Sequence, residues 1–297
     1  MKPVPVPAVR HGDPLAASFV VNRVPPHAYF LVSAVFHYLG PAFAVLLFAH
    51  VEPLGVAWLR IASAAAIFAA WRRPWRYYRA LQPAARRNVL LLGSVLALMN
   101  VCFYIAIDRL PLGTVGAIEF LGPIGLAALG MRSRRNFCAL ALAVAGVYVL
   151  TDVRLAGQPL GFAFAFANCG FFVLYIILGH RIAADGGTAG IDRLGFAMLV
   201  AMVVAFPIGI RQALPALASP LLLAAAVGVG VSSSVIPYVS DQLAMARLPR
   251  ATFALLLALL PAMASLMGVL VLRQLPTAAE VGGIALVIGG VLLHRAS

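Results

Sequence analysis

The chain has 297 residues, 63% of them hydrophobic and only 10% charged, whereas soluble domains carry about 25% charged residues. Its net charge of +13 does not point to nucleic acid, because the arginines lie in short loops between apolar runs, the positive-inside pattern of membrane proteins. The apolar runs are about 20 residues long and do not alternate, which excludes a transmembrane barrel and indicates an all-α polytopic membrane protein embedded in a lipid bilayer.

Residues 1–27 are Pro-rich, carry Lys2, Arg10 and Arg23, and lack the apolar core of a signal peptide, so a cytoplasmic N-terminal tail is expected. Ten spans follow, at 28–48, 54–71, 89–107, 112–130, 137–151, 160–179, 194–211, 221–240, 251–271 and 278–294. With the N-terminus inside, the loop cations fall on the inner face except for Arg109, Arg154, Arg211 and Arg273, so both termini are expected in the cytoplasm. The loop 71–88 sets Trp71, Trp75, Tyr77 and Tyr78 among arginines and reads as an interfacial segment on anionic lipid. Cys102, Cys138 and Cys169 fall in apolar runs with no metal-type spacing. No metal or cofactor is expected.

Arg109-Leu110-Pro111 recurs 138 residues later as Arg247-Leu248-Pro249. In the same register Thr114 meets Thr252, Pro123 meets Pro261 and Gly130 meets Gly268. The first copy opens span four and the second opens span nine. A shift of five spans is odd, so the second copy crosses the membrane the opposite way. Two inverted five-helix repeats are expected, at 28–151 and 160–297, joined by an external linker at 152–159 and enclosing a central cavity.

Two charged residues stand well inside spans: Glu119 in span four and Arg60 in span two. A charge at that depth costs roughly 2.5–3.5 kcal/mol on insertion scales and marks a functional candidate. Glu119 could bind a substrate amine, carry a coupling proton, or do both. Arg60 could attract a substrate carboxylate or brace helices through backbone carbonyls. Pro123, Pro207, Pro237 and Pro261 leave carbonyls without their helical donors and are candidate kinks. Tyr38, Asn100, Tyr104, Asn168, Tyr175, Ser232, Ser233, Ser234 and Tyr238 could line one cavity, with Phe171 and Phe172 as an apolar wall. His37 reads as a hydrogen-bonded core residue. Asp241, at the end of span eight, reads as solvated by cytoplasmic water. No zinc-peptidase, serine-hydrolase or P-loop signature occurs, so the chain does not read as an enzyme.

Ten spans, the inverted repeat, Arg60 in span two and Pro74-Trp75-Arg76 after it resemble the drug/metabolite transporter superfamily. More closely, Leu110-Pro111-Leu112-Gly113 followed by Ala117-Ile118-Glu119-Phe120-Leu121-Gly122-Pro123 is similar to the EamA-type threonine/homoserine exporters, as are Ile236-Pro237-Tyr238 and Ala246–Phe253. The resemblance covers residues 28–295. It implies export of amino acids by alternating access, from the cytoplasm across a bacterial-type inner membrane. The driving force implied is an ion gradient, with protons as the expected ion. Related aromatic amino acid exporters widen the expected substrates to methionine or aromatic residues. Similar exporters carry a Glu before the second-half proline, where this chain has Leu260. Glu119 then stands alone as the deep acid, and a facilitator of small metabolites or drugs is the alternative mechanism. In the export scheme Glu119 takes the α-amine or the proton. Tyr38, Asn100, Tyr104, Tyr175 and Tyr238 bind the substrate, and Phe172 contacts its side chain.

Two readings from other classes make distinct forecasts. An intramembrane enzyme on lipid-linked substrate would have a site opening sideways to lipid. A membrane scaffold would have Glu119 and Arg60 paired with each other. The sequence is silent on oligomeric state.

Overall fold

The computed structural model describes residues 24–130, 133–152, 158–184, 186–248, 253 and 259–293. Lys2, Arg10, Arg23, Arg132, Arg154, Pro249, Arg250, Thr252 and Arg295 lie outside the described residues, as do most of the 152–159 linker and much of the first half of span nine.

Regular structure among the described residues is entirely helical. The helices are α1 (Pro26–Leu47), α2 (Pro53–Arg72), α3 (Trp75–Ala80), α4 (Pro83–Ile107), α5 (Leu112–Gly130), α6 (Arg134–Asp152), α7 (Pro159–Ala183) and α8 (Gly187–Leu217). After α9 (Pro220–Gly230) the chain winds as a π turn, Val231–Val235, and continues without a break into α10 (Ile236–Met245). Then come α11 (Leu259–Leu272) and α12 (Ala278–Leu293). Proline opens α1, α2, α4, α7 and α9, where its missing N–H leaves no helical bond unmade. Among the described residues, six stretches are long and apolar enough to cross a membrane: α1, α2, α4, α7, α8 and the rod Pro220–Met245. This is a multi-pass membrane protein.

Two helices outrun their apolar cores. α8 begins well before 194 because Arg72 Nε donates to Asp192 Oδ1 at 2.6 Å and Arg193 Nη1 donates to the Ile182 carbonyl at 3.0 Å. α4 begins at Pro83 instead of 89, below a loop pinned by Arg86, which donates to the Arg79 and Leu81 carbonyls.

The helices pack through small residues, as expected where lipid removes the hydrophobic drive to associate. α2 lies along α8 with Gly55 against the Gln212 backbone and Gly209 against the Leu54 carbonyl. α6 lies along α12, with Gly146 and Gly290 at the crossing. α1 packs on α10 and α11, α4 on α7 and α8, and α5 on α7 and α11. Val203, Phe206, Leu221 and Leu270 point outward, where bilayer hydrocarbon takes the place of water.

Candidate functional site

Glu119 sits mid-helix in α5 and is 3% exposed. The Tyr38 hydroxyl of α1 donates to its Oε2 at 2.7 Å, and Asn168 Nδ2 of α7 donates to its Oε1 at 2.9 Å. Pro123 stands four residues later, so the Glu119 carbonyl also lacks its helical N–H donor. Three helices thus converge on one carboxylate.

Arg60 of α2 is 4% exposed. Its guanidinium is held by neutral groups of the π turn and α10. Nε donates to Ser234 Oγ at 2.8 Å, and Nη2 donates to the Ser233 carbonyl and, at 3.4 Å, to the Tyr238 hydroxyl. Pro237 has no N–H to offer that Ser233 carbonyl, and the guanidinium takes its place. The Tyr104 and Tyr238 rings lie 5.6 and 5.9 Å from Arg60 Cζ, within cation–π range. Asn100 Nδ2 donates to the Leu96 carbonyl at 2.7 Å and reaches the Tyr238 hydroxyl at 3.5 Å.

Glu119 and Arg60 do not pair. Ion pairs among the described residues include Arg72–Asp192 and Arg109–Asp108. His37 adjoins the partners of both charges: its ring is 5.7 Å from Tyr38, 5.9 Å from Phe172 and 6.4 Å from Tyr238. Phe172 stacks at 5.9 Å on Tyr175, which packs 5.5 Å from Tyr238. The structure therefore brings Tyr38, Asn100, Tyr104, Phe172, Tyr175 and Tyr238 into the same neighbourhood as the two charges. Buried polar atoms without a hydrogen-bond partner among the described residues include Tyr104 Oη and Asn168 Oδ1, one beside each charge. Several of the other groups meet across helices: Tyr38 and Asn168 on Glu119, and Arg60 and Asn100 on Tyr238. One opening lies at the end where α1, α4 and α11 finish and α5 and α12 begin. There a cavity of about 440 Å³ is lined by Asp108, Arg109, Thr114, Ser265, Gln274 and Glu280 among others. Deeper along α5, Gly116 packs against Ala264 and the Tyr38 hydroxyl, between this vestibule and Glu119.

Asp241 overturns its reading as a solvated residue. It is 4% exposed, because α10 runs on to Met245 and places it under α1 and α7. Ser33 Oγ donates to its Oδ1 at 2.5 Å and the Tyr175 hydroxyl to its Oδ2 at 2.7 Å. The only sequence signal was its spacing, one turn after Tyr238.

A model of the EamA-like transporter family matches residues 159–295. A protein of Salmonella typhimurium (strain LT2) named threonine/homoserine exporter RhtA is 33% identical over 248 residues, 82% of this chain and 81% of its own. Its namesake in Escherichia coli (strain K12) is 32% identical over 241 residues, 79% of each chain. A solved crystal structure of a protein, 18% identical, superposes with a TM-score of 0.59 over 90% of this chain and 96% of that one, and shares the fold.

Proposed function

The chain belongs to the EamA-like transporter family of the drug/metabolite transporter superfamily, and we propose that it exports a small zwitterionic amino acid of the threonine/homoserine type. Its relatives are exporters, so the chain is not an enzyme. The observation that carries the proposal is a buried acid and a buried cation that share one polar core without pairing. Leaving two such charges apart is costly unless something comes between them. A zwitterion offers an ammonium to Glu119 and a carboxylate to Arg60. Asn168 Oδ1 can accept from the ammonium and the Tyr104 hydroxyl can donate to the carboxylate. Phe172 and His37 then wall the side chain.

Alternating access between two inverted halves, 28–151 and 160–297, is the motion this reading uses. Packing supports it. α2–α8, α5–α11 and α6–α12 are each a helix beside its counterpart, and the α4–α7 contact is mirrored by α1 with α10. The two Arg-Leu-Pro turns share their backbone bonds. Arg109 N and Leu110 N donate to the Ala106 carbonyl at 3.0 and 2.8 Å, and Arg247 N and Leu248 N to the Ala244 carbonyl at the same distances. The arginine-rich end around α3 is then cytoplasmic, and the 440 Å³ vestibule faces outward.

Counterflow of labelled threonine or homoserine in proteoliposomes tests the assignment. The wild-type protein should exchange them, and Glu119→Gln should lower exchange by about tenfold or more, as losing a charged hydrogen bond does. Full exchange in Glu119→Gln would remove the acid from the binding scheme.

A further inference from the structure

We propose that Asp241, with Ser33 and Tyr175, is the site that carries the coupling proton, separate from the carboxylate that holds the substrate. The proposal rests on the exporter reading above. Three observations lead to it.

First, the two buried acids are held by different chemistry. Glu119 takes one of its bonds from an amide nitrogen, Asn168 Nδ2, which can only donate. Placing a proton on Oε1 would force that amide to turn. A proton on Glu119 is thus confined to Oε2, against the Tyr38 hydroxyl, while the amide on Oε1 favours the anion that faces an ammonium. Both oxygens of Asp241 meet hydroxyls, from Ser33 and Tyr175. A hydroxyl donates to a carboxylate and, by rotating its hydrogen, accepts from a carboxylic acid. The Asp241 site can therefore gain and lose a proton with no heavy atom moving.

Second, Asp241 lies off the vestibule side of the substrate groups. Ser33 precedes Tyr38 by five residues on α1, about 7.5 Å of helix rise toward its N-terminus. A narrow gap beside Asp241 is lined by Phe30, Ser33, His37, Phe172 and Tyr175, so the acid adjoins the substrate groups without joining them.

Third, Asp241 is wired to the substrate groups. Tyr175 donates to it and packs its ring on Tyr238, which holds Arg60. The titratable groups around Asp241 include Tyr175 of α7, His37 of α1 across the gap, Tyr238 on its own helix, and His180 of α7, which packs on Phe253 at the far side of the gap. α8 meets α10 where Gly190 faces Gln242, and its charged residues there, Asp192 and Arg193, engage Arg72 and the Ile182 carbonyl. The carboxylate takes up one proton on the outer side and gives it up on the inner side, while one zwitterion leaves. No other group changes protonation.

Proteoliposomes loaded with a pH-sensitive dye test this directly. In the wild-type protein, outward threonine movement should be accompanied by inward proton flux. Asp241→Asn should keep gradient-free threonine counterflow near the wild-type rate and lose substrate-coupled proton flux by about tenfold or more. Coupled flux that persists in Asp241→Asn overturns the assignment, as does net outward threonine movement by the wild-type protein with no proton movement. Absence of wild-type counterflow would instead sink the exporter reading. A measurement on unsubstituted protein stands beside the variant in case that variant does not fold. A hydrophobic carbodiimide, which modifies protonated carboxyls, should label Asp241, with labelling that falls as pH rises. Label at Glu119 and none at Asp241 would assign the proton to the wrong acid here.

Discussion

Asn100 Nδ2 and the Tyr238 hydroxyl meet at 3.5 Å although 138 residues separate them, the same offset at which Arg-Leu-Pro recurs. In the proposed inverted repeat these are equivalent positions, and equivalent positions touch only near the axis between the halves. Arg60 is bound to this pair through Tyr238. Tyr238→Phe removes the hydroxyl but keeps the ring over the guanidinium. A hydrogen bond to a charged group contributes about 1.5–3 kcal/mol, so the apparent affinity for threonine should fall roughly tenfold or more while the protein remains folded. Counterflow measured across substrate concentration checks it.

Arg60 also separates charge from shape. Arg60→Lys preserves the cation but cannot reach Ser234 Oγ and the Ser233 carbonyl together, as the planar fork does. Weakened exchange is expected for lysine and loss of exchange for Arg60→Met, with elution and thermal stability reporting on folding. If methionine supported normal exchange, Arg60 would be a brace and not a carboxylate site.

Gly40 controls how closely α1 approaches the π turn. A Cβ there would lie 2.6 Å from Ser233 N and 2.7 Å from Ser233 Cα, backbone atoms that cannot swing away. Overpacking of this kind costs about 1–3 kcal/mol. Gly40→Ala should lower the thermal midpoint in detergent and disturb Arg60, whereas Gly170→Ala, with open space at its Cβ, should leave both unchanged.

The Arg72–Asp192 pair ties the ends of α2 and α8, its side chains 26% and 6% exposed. Asp192→Asn should destabilise by about 1–2 kcal/mol, since the buried partner sets the strength of a charged hydrogen bond and the exposed arginine screens part of it. Thermal unfolding of Asp192→Asn beside Arg72→Gln checks this. Additive losses in the double variant would show that the two residues act independently.

Much of the molecule was legible in the chain because a bilayer makes polarity conspicuous. Glu119 and Arg60 stood out as charges inside apolar runs, and both are buried. Asp241 was lost because an apolar run stops at its first charge, whereas burial is decided by neighbours. Ser33 and Tyr175 come from other helices, and no spacing along α10 announces them. The separation of Glu119 from Arg60 was equally invisible, since which helices face each other is a matter of packing. The π turn left only a hint in three consecutive serines before a proline.

That turn links events a helix would otherwise keep apart. An α-helix advances about 100° per residue, so taking one residue out of Val231–Val235 would swing everything beyond it by that angle. Tyr238 would turn from the guanidinium at the same moment as Asp241 turned from Ser33. In the proposed scheme, grip on the cargo and grip on the proton ride on one crank, and the backbone winding of five residues sets its position.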